Sequence, residues 1–384
     1  MSKPVDVKKT PFKGIKQNPS LLGFGCMRFP RFDPDKPDID ETAAEKLIDA
    51  AYARGVTYYD TAYPYHAGQS ETFVGKALKK YPRDSFFLAS KMPGWEIESV
   101  EDAERIFHEQ LAKCQVDYFD YYLCHALNES GFKKYQLPGV MDFLTRMKEE
   151  GKIRHLGFSF HDTPEVLKTI LDAYPWDFTL LQINYLDWDF QDARKQYEFV
   201  QAKGIPCMVM EPVRGGTLAT LCEDSRAMLK EYAPDRSIAS WAIRYVAGLD
   251  NTMLVLSGMS TMEHVEDNCD TLSDFTPLTT DEHRVLQKAL ETFLKKNTVP
   301  CTKCDYCMPC PEGVDIPGNF TVYNEYLLSN FTRMFTGQFD ELGDKNANAC
   351  IECGVCVPKC PQSIDIPARM IGIRTAYEKA SKDS

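Results

Sequence analysis

Short apolar or β-branched runs alternate with longer amphipathic stretches over most of the chain. Eight of the short runs read as strands: 21–25, 57–61, 86–91, 119–125, 153–159, 179–185, 206–211 and 253–257. Between and after them, apolar residues recur at helical spacing. They predict helices over 41–54, 70–80, 100–114, 139–150, 164–172, 192–203, 237–246 and 262–270. Gly55, Gly151 and Gly204 each stand between a helix and the next strand, where a left-handed cap favours glycine. Thr163-Pro164 supplies a cap residue and a first-turn proline. Strand and helix in strict alternation imply a parallel sheet. Eight such units in about 260 residues fit a closed (β/α)8, or TIM, barrel. A doubly wound open sheet is the alternative. It is disfavoured because Gly23 and Gly25 lack the third glycine of a dinucleotide-binding turn.

The pattern changes near residue 273, and the last quarter is dominated by cysteine. Cys301, Cys304, Cys307 and Cys310 are followed by Pro311; Cys350, Cys353, Cys356 and Cys360 are followed by Pro361. Three cysteines at two-residue spacing, then a fourth and a proline, is the arrangement by which bacterial ferredoxins hold [4Fe-4S] clusters. The motif is an internal repeat. Its first three cysteines recur at an offset of 49 residues and the fourth at 50. Structural zinc uses two cysteines per turn, whereas each motif here offers four. The reading is a barrel over 14–275, a linker with a helical run over 276–299, and a small, mainly helical, ferredoxin-like iron-sulfur domain over 300–376. A helix is also predicted over 320–335. By resemblance to two-cluster ferredoxins, Cys301, Cys304, Cys307 and Cys360 would hold one cluster, and Cys350, Cys353, Cys356 and Cys310 the other.

Composition narrows the class further. With 44 basic against 56 acidic residues, the net charge is -12. That disfavours a nucleic-acid or anionic membrane surface. No run approaches the ~18 apolar residues of a membrane span. Of 14 cysteines, the six outside the motifs (Cys26, Cys114, Cys124, Cys207, Cys222, Cys269) are scattered, mostly among apolar neighbours. Together with a polar start, Met1 to Thr10, this predicts a reducing, cytoplasmic setting.

Active sites of such barrels lie at the carboxyl ends of the strands. There the sequence places Asp60, with Tyr65 in the following loop, then Lys91, then His125. An acid, a phenol, an amine and an imidazole thus rise from three consecutive strands toward one mouth.

Tyr59-Asp60-Thr61-Ala62 with Tyr65, then Gly68, Ser70-Glu71 and Gly75-Lys76-Ala77-Leu78, resembles the aldo/keto reductase superfamily. So do Ser90-Lys91, Tyr122-Leu123-Cys124-His125, Ile153-Arg154, Gly157-Phe158-Ser159 and Gly258 through Asn268. The likeness covers roughly residues 14–272, and the cysteine motifs are similar to the extension carried by one subgroup. The resemblance implies hydride exchange between a nicotinamide and a carbonyl or alcohol. Tyr65 would be the general acid, Lys91 would lower its pKa, Asp60 would hold Lys91, and His125 would orient the carbonyl oxygen. It further implies cofactor contacts from Ser159, Gln182, Arg214, Gly258 and Asn268. The family's usual asparagine after the serine is Phe160 here, and its usual stacking aromatic is Met210. No cation stands in Met259-Ser260-Thr261 for a 2′-phosphate, so NADP and NAD both remain open.

The expected function is therefore an NAD(P)-dependent oxidoreductase acting on a small carbonyl or alcohol. Its two [4Fe-4S] clusters are structural, redox-sensing or electron-transferring. The alternative is an electron-transfer protein whose clusters exchange electrons with a barrel-bound cofactor, flavin included, or with a ferredoxin or other redox partner. Neither nucleic acid nor membrane is an expected partner.

Overall fold

The computed structural model describes residues 6–9, 18–33, 36–301, 303, 305–329, 331–360 and 362–382. Eight strands form one closed parallel barrel in sequence order. They are β1 (Leu22–Gly25), β2 (Tyr58–Asp60), β3 (Phe87–Met92), β4 (Phe119–Leu127), β5 (Ile153–Phe160), β6 (Phe178–Gln182), β7 (Cys207–Met210) and β8 (Thr252–Ser257). Closure is direct: β1 pairs with β2 through Gly23 and Tyr58, and with β8 through Leu22 and Val255. The expected architecture, a (β/α)8 barrel followed by a small helical segment, is the one observed.

Side-chain alternation builds the core in two layers. Tyr58, Tyr121, Leu123, Phe178, Met208 and Leu254 fill the barrel interior. Residues of opposite parity, such as Tyr59, Leu88, Tyr122 and Val209, pack outward against the helices. Local chemistry sets the helix ends. Asp40 accepts from Ala43 N–H at the start of Glu41–Ala53, and Thr261 accepts from His264 N–H at the start of Met262–Ser273. Gly151 and Gly204 have φ of +75° and +67° with open space around them. Backbone conformation, not crowding, is what calls for glycine at these two caps.

The chain divides into two compact units: Met1–Val213 with Ala239–Thr279, and Arg214–Ile238 with Thr280–Ser384. The first holds all eight strands. In the second, the helix Glu223–Tyr232 lies against Thr280–Asn297, where Ser225 Oγ donates to the Ala289 carbonyl at 2.7 Å. The loop Arg214–Ala219 is joined to the C-terminal residues by Thr217 Oγ1, which donates to the Leu328 carbonyl at 3.1 Å.

Residues 320–335 do not form the single helix their apolar pattern suggests. Two helices, Ile316–Ser329 and Thr332–Glu341, occur there instead, with Tyr326 stacked on Phe335 at a ring-centroid distance of 4.3 Å. Ser329 Oγ accepts from Phe331 N–H at the break, an alternative to the helical bond that periodicity does not reveal. Among the described residues, no helix is long and apolar enough to cross a membrane.

Candidate functional site

The carboxyl ends of β2, β3 and β4 bring Asp60, Lys91 and His125 to one side of the barrel mouth, and Tyr65 enters from the loop after β2. Lys91 Nζ donates to Asp60 Oδ1 at 2.5 Å, to the Thr61 carbonyl at 2.8 Å and to Tyr65 Oη at 3.1 Å. Its ammonium also lies 4.6 Å from the Tyr65 ring centre. The Tyr65 and His125 rings meet edge-on at 6.1 Å. The expected four residues thus converge, and each is held by a different segment of chain.

Burial governs their acidity. It raises the Tyr65 phenol, and Lys91 only partly offsets this, so the net shift is upward. Lys91 lowers the phenol as expected, but desolvation outweighs the nearby cation. Burial works against the Lys91 charge, but Asp60 and Tyr65 more than compensate, and its pKa rises. Burial likewise lifts Asp60 despite its ammonium partner. His125 is pushed well below the ordinary imidazole value by burial, then by Lys91 and His161, so it is neutral near pH 7. Its Nδ1 is buried without a partner.

The top of β4 is irregular. Its register against β5 shifts between Cys124 and Leu127, and Ala126 has a φ of +50°. Ser159 Oγ accepts the Ala126 N–H at 2.7 Å, and Tyr135 Oη takes the His125 N–H at 3.0 Å. Tyr135, from the short helix Glu129–Tyr135, in turn donates to the Met92 carbonyl at 2.5 Å. It is therefore a strut between β3 and β4 rather than a pocket wall.

Around the mouth stand four of the residues expected at a nicotinamide, Ser159, Gln182, Gly258 and Asn268. Gln182, at the end of β6, donates its amide to Asp187 at 2.9 Å and to Gln191 at 3.2 Å, which leaves its carbonyl oxygen to accept. Asn268 donates to Ser257 Oγ at 3.0 Å, beside Gly258, where a Cβ would sit 3.0 Å from the Arg28 side chain. Arg214 is buried with a φ of +48°, followed by Gly215 and Gly216 at +63° and +103°. It belongs to the second compact unit, whereas the other four belong to the first. A carboxamide fits what the barrel offers at the ends of β5 and β6: a Ser159 hydroxyl hydrogen and a Gln182 acceptor.

Three mouth features escaped the sequence reading. Trp95 is half exposed and lies 5.2 Å from the His125 ring. His161 follows the last residue of β5, where the Leu127 carbonyl accepts its N–H at 2.9 Å. Glu211 follows β7 with a φ of +55° and faces Arg28 at 3.6 Å. Each lies one to three residues beyond a strand end, and a wider window at the carboxyl ends would have found them.

The cysteine loops repeat in backbone as well as sequence. Lys303 and Glu352 have φ of +54° and +60°; Asp305 and Gly354 have +60° and +75°; Gly313 and Ser363 have +74° and +53°. After each fourth cysteine an aspartate caps a helix, Asp315 to Gly318 N–H and Asp365 to Ala368 N–H. Left-handed residues between cysteines favour the amide concavities that suit anionic clusters. One hollow is lined by Cys310, Cys350, Cys353 and Cys356, with Cys307, Ile316 and Met370 also in its wall. Burial, then Cys350, Cys353 and Cys310, raises the Cys356 thiol. This donor set suits a [4Fe-4S] cluster. Cys301, Cys307 and Cys360 border the same small core, and Cys304 lies outside the described residues.

A model of the Aldo/keto reductase family matches residues 21–291, and one of a 4Fe-4S dicluster domain matches residues 300–364. A probable aldo-keto reductase from Glycine max is 30% identical over 177 residues, which are 44% of this chain and 49% of that protein. The chain thus spans about half of that relative. The L-galactose dehydrogenase of Arabidopsis thaliana is 25% identical over 285 residues, 68% of this chain and 87% of that one. Among solved structures, the holo form of aldo-keto reductase AKR11C1 from Bacillus halodurans superposes with a TM-score of 0.61 at 28% identity. It covers 74% of this chain and 96% of its own.

Proposed function

The chain belongs to the aldo/keto reductase family and carries a C-terminal 4Fe-4S dicluster domain; on that premise we propose that it reduces a small carbonyl compound with NADH or NADPH, Tyr65 acting as the acid. The observation that carries the reading is the 3.1 Å contact of Lys91 Nζ with Tyr65 Oη, made by an ammonium already fixed to Asp60. A bound nicotinamide supplies the hydride. The reaction consumes NAD(P)H, the carbonyl and one proton, and yields NAD(P)⁺ and the alcohol.

Each residue has a definite task. The neutral His125 imidazole has no acceptor at Nδ1, so its proton is best used on Nε2, facing the mouth, as a donor to the carbonyl oxygen. Tyr65 keeps its proton at neutral pH and releases it to the oxygen as negative charge develops there. The phenolate left behind is stabilised by Lys91 at hydrogen-bond distance. Asp60 and the Thr61 carbonyl keep the ammonium from swinging away. Ser159 and Gln182 are the residues suited to the carboxamide, and Gly258 and Asn268 to the remainder of the cofactor.

We also propose two [4Fe-4S] clusters, with Cys310 serving the second motif and Cys360 the first. One cubane carries one electron at a time. The reading in which these clusters exchange electrons with a partner is favoured by one observation: Cys353 is exposed. The barrel reading is tested with NADH and NADPH deuterated at C4. Label recovered on the carbinol carbon of a test aldehyde supports it; an unlabelled alcohol, or none, contradicts it.

A further inference from the structure

On the outer face of the barrel, two adjacent buried residues tie together the segments that carry the tetrad. Ser70 and Glu71 open the helix Ser70–Leu78. Ser70 Oγ lies 2.9 Å from Thr61 Oγ1 and 3.3 Å from the Cys26 carbonyl. The first contact closes the base of the loop that bears Tyr65. The Thr61 carbonyl is itself one of the acceptors of the Lys91 ammonium.

Glu71 does the same for β3. Its Oε1 accepts from Ser90 Oγ at 2.6 Å and from Gln110 Nε2 at 2.6 Å. Gln110, on the helix Val100–Cys114, also reaches the Lys91 carbonyl at 2.9 Å and Ser90 Oγ at 3.1 Å. Tyr122 Oη donates to Gln110 Oε1 at 2.5 Å. With its oxygen taken, the amide nitrogen must face Glu71, Ser90 and Lys91. Glu71, Ser90 and Gln110 are all fully buried.

We propose that Ser70 and Glu71 act as a pair of positioning residues that set the Tyr65–Lys91 distance. Strand alternation sends the Lys91 stem into the barrel and Ser90 toward the helices. A lysine stem has four rotatable bonds, so its ammonium is only as well placed as the backbone at its base. Glu71 fixes that base through Ser90 and Gln110, while Ser70 fixes the opposing loop through Thr61. One helix terminus thereby sets both sides of the contact. Burial raises the Glu71 carboxyl; the bonds from Ser90 and Gln110 and the charge of Lys113 oppose it, and Glu109 adds to it. Removing the carboxyl takes the shared acceptor from the buried Ser90 hydroxyl and Gln110 amide and leaves them only each other and the Lys91 carbonyl. Glutamine at 71 would keep the Oε1 acceptor.

The kinetic part rests on the reductase reading; the structural part does not. Full-length, cluster-loaded protein labelled with ¹⁵N-lysine gives the exchange rate of the Lys91 ammonium protons, its signal identified by loss in Lys91→Met. In Glu71→Ala that exchange speeds about tenfold or more and kcat for a test aldehyde falls about tenfold. KM for the nicotinamide stays within about twofold. Glu71→Gln restores both. If Glu71→Ala fails to fold, Ser70→Ala, which cuts the ties to Thr61 and the Cys26 carbonyl and leaves those of Glu71, carries the same expectation. Unchanged exchange in a folded variant overturns the proposal. A wild type without carbonyl turnover refutes the reductase reading alone, and the exchange measurement still decides this one.

Discussion

Lys91 Nζ and Asp60 form an asymmetric pair: the ammonium lies 2.5 Å from Oδ1, while Oδ2 is buried with no hydrogen-bond partner. Both side chains are almost fully buried. The pair therefore serves position more than stability, since half of the carboxylate's hydrogen-bonding capacity is unused. Breaking it from one side should be severe. Lys91→Met leaves the acid alone in the barrel and should cost about 3–5 kcal/mol. The double variant Asp60→Asn with Lys91→Met should regain part of that loss. Urea denaturation of the two variants checks it; equal stability would show that the lone acid is not what destabilises.

Replacing Tyr65 removes the acid but leaves the pair intact. Tyr65→Phe should lower kcat by roughly 10²–10⁴-fold with nicotinamide binding preserved. Stopped-flow turnover with fluorescence titration of the cofactor separates the two effects. Full turnover in the variant would end the assignment.

The pH dependence should differ with direction. Carbonyl reduction needs the protonated phenol, and burial holds Tyr65 above the ordinary value of about 10. Reduction should therefore be flat through neutrality and fall only in alkali. Alcohol oxidation needs the phenolate, so its rate should rise with pH over the same range. His125 is held below about 6.5 and should add no limb at neutral pH. Initial rates in both directions measure this.

The cysteine loops allow a cross-motif test. Cys310 belongs by sequence to the first motif, yet with Cys307 it lines the same hollow as Cys350, Cys353 and Cys356. Cys310→Ser should disturb the cluster of the second motif and spare the other, taking iron from about eight to about four per chain. Iron analysis with low-temperature electron paramagnetic resonance reads the outcome. Loss of the cluster bound by Cys301 and Cys307 instead would reverse the wiring.

Much of this was legible in the chain because the signals were local. Alternation placed all eight strands, and the strand ends at Asp60, Lys91 and His125 followed from it. The cysteine repeat needed only spacing. What stayed hidden depends on contacts distant in sequence. Gln110 looks like any polar helix residue until Tyr122 and Glu71 are seen on either side of it. The upward shift of Tyr65 needs burial, which a sequence does not display. Tyr135 carries no distinguishing signal in the chain, and only its bonds to His125 and Met92 identify it as a strut.

The central claim is hydride transfer to a carbonyl at Tyr65, and one anaerobic measurement tests it most directly. Cluster-loaded protein is given NADH or NADPH with and without a test aldehyde, while nicotinamide absorbance and the cluster resonance are followed together. The account predicts nicotinamide oxidation that requires aldehyde, matches alcohol formed, and collapses in Tyr65→Phe. Nicotinamide oxidised without aldehyde, with a reduced-cluster signal that survives Tyr65→Phe, would contradict it.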